Sequence, residues 1–199
     1  MRIFVAIDIP KVEKIINIQN QIMKQFEFAP HHVRFINRYN LHLTIMFLGE
    51  KTDFEVREII TNLKSLDFDP FEIRFTNVGC FPKNSNPSVI WLGLDNQSSK
   101  KLNDLYDAIS KLLEKNIGYG KETQKDSSEE KSIYVPHLTI FPHLTIFRIN
   151  RHFKSRISFD PIFQFDPFTD EICQIKLKRS MLTAGGPKYS DLFTIDARA

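Results

Sequence analysis

Three of the chain's six histidines open the same tetrapeptide, His-Leu-Thr-Ile, at residues 42–45, 137–140 and 143–146. Leu, Thr and Ile favour a pleated, half-buried surface. On a strand, residues i and i+2 project from one face. Each copy therefore sets an imidazole beside a hydroxyl and turns Leu and Ile the other way. Two such strands brought together would enclose a small space with two imidazoles and two hydroxyls. Imidazole titrates near neutrality, so a facing pair can supply one base and one acid. The hydroxyls can donate hydrogen bonds to an anion held between them. A lone copy would read as an ordinary strand-former; recurrence around so scarce a residue points to a shared site.

The rest of the pattern alternates strands with helices. Residues 2–9 (RIFVAIDI) form a β-rich run ended by Pro10, and residues 11–27 carry Val12, Ile15, Ile16, Ile22, Met23 and Phe26 at helical spacing. Strands follow at Val33–Ile36 and Leu41–Gly49. Thr52 and Glu55 form a capping box that opens a second helix to about Leu66. Phe71–Phe81 and Val89–Leu94 read as strands around a Pro/Asn/Ser turn, and Ser98–Asn116 as a third helix. Residues 118–132 are charged and almost devoid of apolar side chains, which predicts a surface loop that could gate a groove beside the motif. Ile133–Ile149, Asp170–Leu182 and Tyr189–Ile195 close the chain as strands, the last two joined by a turn at Gly185–Pro187. The expected fold is α+β and bilobal: two pseudo-symmetric lobes of antiparallel sheet, helices outside, one HLTI strand per lobe and a cleft between them. Residues 1–199 are expected to form this one bilobal domain.

Composition narrows the function classes. At 42% hydrophobic, with 18 Phe, the chain can fill a core. No apolar run approaches the roughly 20 residues that span a bilayer, and MRIFVAIDIP reads as a first strand and not a signal peptide. A cytoplasmic monomer without membrane association is expected. Cys80 and Cys173, in predicted strands, read as buried thiols of a reducing compartment. The net charge of +3 permits an anionic ligand without demanding one. Zinc ligation by the three histidines is disfavoured, because no Cys, Asp or Glu lies near them at ligand spacing and the threonines would be idle.

The segments MRIFVAIDIP, NLHLTIMFLGE, VGCFP, VIWLGL, PHLTIFRI, LKRSML and GPKYSDL occur in an order that resembles the two-histidine (2H) phosphoesterases, closest to the RNA 2′,3′-cyclic phosphodiesterases also called 2′-5′ RNA ligases. The resemblance covers nearly the whole chain and rests mainly on the paired His-x-Thr motifs. It implies metal-independent, cofactor-free hydrolysis of a 2′,3′-cyclic phosphate to a 2′-phosphomonoester. The implied substrates are RNA ends or small cyclic nucleotides. It also implies His42 as proton donor, the downstream histidine as acceptor, and Thr44 with its downstream partner on the phosphate oxygens. The residues alone do not say which histidine is acid and which base. An RNA-end binding or 2′-5′ ligase-associated module with vestigial hydrolysis is the alternative. Within the enzyme class, ADP-ribose cyclic phosphate, a 2′-5′ oligonucleotide or an RNA 3′ tail could also be the substrate.

The tandem PHLTIFPHLTIF departs from that family, which has one downstream motif. The copies lie six residues apart, roughly 20 Å along a strand, so only one can face His42. Pro142 fits poorly inside a central strand but well just before one, and Arg148 stands five places after His143, where the family has arginine. His143 with Thr145 is therefore expected at the site, with His137 and Thr139 as the alternative. Arg148 would contact phosphate, although strict alternation sets it on the face opposite His143. Lys178 and Arg179 could contact an RNA backbone but read better as a solvated charged face. Phe35, Phe47 and Tyr189 could stack on a base, although core packing is the better reading for most in a chain with 18 Phe, and His31, His32 and His152 read as exposed and nonessential.

Overall fold

A computed structural model describes residues 1–26, 33–82, 87–117, 142–149, 163–184 and 186–198. The elements run β1 (Arg2–Asp8), α1 (Val12–Gln25), β2 (Val33–Phe35), a 3-10 turn (Arg38–Asn40), β3 (His42–Glu50), α2 (Asp53–Leu63), β4 (Phe71–Phe81) and β5 (Val89–Leu94). Then come α3 (Asn96–Ile117), β6 (His143–Ile149), β7 (Phe168–Ile172), β8 (Gln174–Thr183) and β9 (Gly186–Asp196). The strands form two antiparallel sheets, ordered β3-β1-β8-β9 and β2-β6-β5-β4-β7, each carrying one HLTI strand.

The hydrophobic pattern explains these placements. β1 is buried from Ile3 to Ile7 on both faces, as suits a strand flanked by β3 and β8 in a covered sheet. Ile15, Ile18 and Ile22 line the buried stripe of α1, which packs on β6. At the start of α2, Thr52 Oγ1 accepts from Glu55 N–H at 3.2 Å, and Thr52 N–H donates to Glu55 Oε2 at 2.7 Å, so the capping box forms. Val56, Ile59 and Leu63 then turn inward, and α2 packs against α3, which lies on β3 and β4.

The lobes are not successive halves of the chain. β2 leaves the N-terminal segment to join the sheet of β6, while β8 and β9 return from the C-terminal segment to the sheet of β3. The single strand expected over Asp170–Leu182 is two strands in different sheets, broken at Cys173, where the chain crosses between lobes. Cys173 is exposed and Cys80 buried, so only one thiol matches the expectation of burial. The charged stretch 118–132 lies outside the described residues. Among the described residues no helix is long and apolar enough to cross a membrane.

Candidate active site

β3 and β6 share a local irregularity that decides which side chains meet. Val5 and Ala6 of β1 face Met46 and Thr44, so Ile45 has no partner on β1. Ile90 and Trp91 of β5 face Phe147 and Thr145, so Ile146 has no partner on β5. Each is a β-bulge, and a bulge shifts the alternation by one residue. His42, Thr44 and Phe47 consequently share one face, and so do His143, Thr145 and Arg148. Burial follows the same sequence of half-buried, buried and exposed positions over His42–Leu48 as over His143–Ile149. The expectation that Arg148 opposes His143 is therefore corrected: the bulge at Ile146 returns the guanidinium to the side of the imidazole.

His42 is held from three directions. Its ring centroid lies 5.1 Å from Phe4 and 4.9 Å from Tyr189, the latter edge-on at 83°. Its Nδ1 lies 2.8 Å from the Asn40 carbonyl oxygen. A carbonyl only accepts, so Nδ1 carries the hydrogen and Nε2 is the nitrogen that gains or loses a proton. Burial holds the imidazole below its ordinary pKa; the Asn40 bond opposes this, while nearby Lys178 lowers and Asp8 raises it further. Asn40 is itself fixed, its side-chain amide donating to Pro187 O at 3.2 Å.

Beside His42 on the same face lies a neutral ring of charges. Lys178 Nζ meets Asp8 at 2.9 Å and Asp191 at 2.6 Å, and Lys176 Nζ meets both at 2.9 Å. Lys178 is 5% exposed, so it is a buried, paired cation and not part of a solvated face. Asp8 sits directly across from His42 on β1.

His143 occupies the corresponding position in the other sheet. Its ring lies 5.1 Å from Phe81 and 5.9 Å from Trp91. The indole lies flat over Gly79, where a Cβ would overlap its ring atoms. Gly79 thus lets Trp91 lie close enough to the sheet to flank His143. β6 begins at His143, directly after Pro142; His137 and Thr139 lie outside the described residues.

The two faces meet. β3 and β6 are in contact. The charge of Arg148 acts on Tyr189, whose hydroxyl pKa burial raises and the guanidinium pulls back, and Tyr189 touches His42. Arg34, directly across from Arg148 on β2, lays its guanidinium over Gly186 of β9, where φ is +106° and a Cβ would overlap it. The structure therefore sets β3, which carries His42 and Thr44, against β6, which carries His143, Thr145 and Arg148, with Tyr189 beside His42 and within the field of Arg148. Phe35 and Phe47 are 41% and 44% exposed. His31, His32 and His152 lie outside the described residues.

The comparisons with known proteins agree with this architecture. Residues 7–91 match the family described as LigT like Phosphoesterase, and residues 54–148 match the 2′-5′ RNA ligase superfamily. A protein of Methanocaldococcus jannaschii named RNA 2′,3′-cyclic phosphodiesterase is 36% identical over 143 residues, 70% of each chain. The chain belongs to the LigT-like phosphoesterases. A second relative of the same name, from Archaeoglobus fulgidus, is 29% identical across 96% of this chain and 98% of its own. The crystal structure of E. coli LigT complexed with 3′-AMP shares the fold of this LigT-like phosphoesterase. Its TM-score is 0.70 at 20% identity, over 100% of this chain and 98% of that one.

Reading for catalytic residue types missed the surroundings of the two histidines. Phe81 and Trp91 lie within VGCFP and VIWLGL, legible as segments but not as histidine supports. Phe4 and the Asp8–Lys178 ring come together only through strand register. Gln19, a polar residue in the buried stripe of α1, was a visible signal.

Proposed function

We propose that this LigT-like phosphoesterase opens RNA 2′,3′-cyclic phosphodiester ends, or small cyclic nucleotides, to 2′-phosphomonoesters. His42 and His143 exchange the protons, and no metal or cofactor takes part. One observation supports the reading: two HLTI strands, one per sheet, carry the same bulge and the same burial pattern, and the two strands lie against each other. His143 takes a proton from water as its oxygen attacks phosphorus. The bond from phosphorus to the 3′ oxygen breaks, and His42 Nε2 gives that oxygen its proton. Thr44 and Thr145 donate to the non-bridging oxygens and Arg148 offsets the charge that develops there. Burial alone disfavours imidazolium at His42; a bound phosphodiester anion restores it, so the acid is charged when substrate is present. The names of the relatives and the nucleotide seen in E. coli LigT support a nucleotide or RNA ligand. The same residues, held in one bilobal domain, are expected to work as a cytoplasmic monomer.

The test compares His42→Ala, His143→Ala and His137→Ala on a 2′,3′-cyclic nucleotide in EDTA. Loss of one general acid or base costs about 10²–10⁴-fold, so the first two variants should lose that much turnover while melting normally, and the third should stay near wild type. Full activity in folded His42→Ala would falsify the mechanism. Loss only in His137→Ala would transfer the second role to that residue. Binding without 2′-phosphate release by the wild type would favour an RNA-end binding module instead.

A further inference from the structure

The bulge at Ile146 lies against a buried polar side chain that the proposed chemistry does not use. Gln19 is 2% exposed within the apolar stripe of α1. Its Nε2 donates to Ile146 O at 2.8 Å and to Ile36 O at 3.3 Å. Both partners are carbonyls, so the amide nitrogen must face them. Ile146 O also accepts Ile36 N–H at 3.1 Å. One amide thus spans the bulge of β6 and the end of β2.

These two backbone points lead into the two arms of the site. Ile146 lies between Thr145 and Arg148, and its insertion brings Arg148 to the face of His143. Ile36 runs into the 3-10 turn whose last residue, Asn40, holds His42 Nδ1. A buried polar group in an apolar stripe is retained only with its hydrogen bonds made, and here both go to the backbone that sets the site.

We propose that Gln19 is a positioning residue. By holding the carbonyls of Ile146 and Ile36, it fixes the bulge that aims Arg148 into the cleft and ties that bulge to the segment carrying His42. The proposal rests on the phosphodiesterase reading and assigns Gln19 no contact with substrate.

A double-mutant cycle tests it, with kcat and KM measured on a 2′,3′-cyclic nucleotide for wild type, Gln19→Met, Arg148→Ala and the double variant. Methionine keeps the length and volume but cannot donate. Residues that act as one unit are non-additive. If Arg148→Ala lowers kcat/KM about 100-fold in the wild type, a bidentate-class contact, it should lower it no more than about 10-fold in the Gln19→Met background. Gln19→Met should itself lower kcat/KM by at least about tenfold. A merely structural role predicts a lower melting temperature with unchanged kcat and KM and an additive cycle; that result overturns the proposal. If Gln19→Met does not fold, the cycle is run on Gln19→Asn, which keeps the amide but is one methylene too short to span both carbonyls. The same coupling supports the proposal there, and additivity refutes it. Gln19→Glu gives a further reading. Its carboxyl can donate only when protonated, so activity recovering toward acid pH relative to wild type supports the clamp, and an unchanged pH profile counts against it. An inactive wild type would overturn the phosphodiesterase reading itself, whereas an active wild type with an additive cycle overturns only the role of Gln19.

Discussion

Replacing Lys178 by methionine should cost stability and recharge the histidine beside it. In the wild type, two lysines and two aspartates make a neutral ring, with Lys178 at 2.9 Å from Asp8 and 2.6 Å from Asp191. Lys178 is 5% exposed, while both aspartate side chains are 39% exposed. Breaking a buried pair by removing one partner costs about 3–5 kcal/mol. Here Lys176 still bridges both carboxylates and water reaches them, so the lower end applies, about 3 kcal/mol. For a chain of this size that lowers the melting temperature by roughly 6–12 °C. The second effect is electrostatic. Burial is the main reason His42 titrates low, and Lys178 adds to it. With that cation gone the ring is left with one net negative charge, so the His42 pKa should rise. Urea unfolding measures the first effect and the His42 ring-proton NMR titration the second. An unfolding free energy within about 1 kcal/mol of wild type, below the range for a broken buried pair, or an unmoved His42 midpoint would refute the argument.

Two further outcomes follow from the same geometry. Gly79→Ala places a methyl into the indole of Trp91 and should cost about 1–3 kcal/mol by overpacking; because Trp91 flanks His143, turnover should fall more than stability accounts for, checked by kcat beside the melting curve. His42 titrates below its unfolded value because burial disfavours imidazolium, so between the folded pKa and about 6.5 the unfolded chain binds more protons. Stability should therefore decline as pH falls through that window, a decline that should shrink in His42→Gln, and inorganic phosphate should raise the His42 midpoint in an NMR titration.

The helices and most strands were legible because each is built on a single period. The stripe Ile15, Ile22, the Thr52–Glu55 box and the alternation through Phe71–Phe81 all carry local signals, and local energetics place them. What the chain does not announce is register. Strict alternation through Ile146 sets Arg148 on the wrong face, and a bulge has no residue signature when both neighbours are apolar. The strand expected over Asp170–Leu182 hid a change of sheet at Cys173, since the preference for extended backbone is the same on either side of the break. Lys178 read as solvated because its partners, Asp8 and Asp191, are 170 and 13 residues away. Only the pairing of β1, β8 and β9 brings them to it.

The two motif strands repeat a backbone but not a chemistry, and the proposed reaction needs that difference. A 2′,3′-cyclic phosphate offers two ester oxygens to break, nearly alike in reactivity, and two identical lobes would give no reason to release one and keep the other. After each bulge the shared face ends differently, in Phe47 on β3 and in Arg148 on β6. The imidazoles differ as well. His42 sits beside a ring of paired charges with its Nδ1 tied to Asn40, while His143 packs against Phe81 and Trp91. In the proposed reaction the cation of Arg148 would draw the non-bridging oxygens toward β6, while the matching position on β3, Phe47, offers no charge to do so. On the proposed mechanism, substrate would then be bound in one sense, with one ester oxygen presented to His42 Nε2 and the attacking water on the side of His143. Symmetry of the scaffold gives each sheet one motif strand and sets the two strands in contact; on the proposed mechanism, its failure at the residue after the bulge is what would give the reaction a direction.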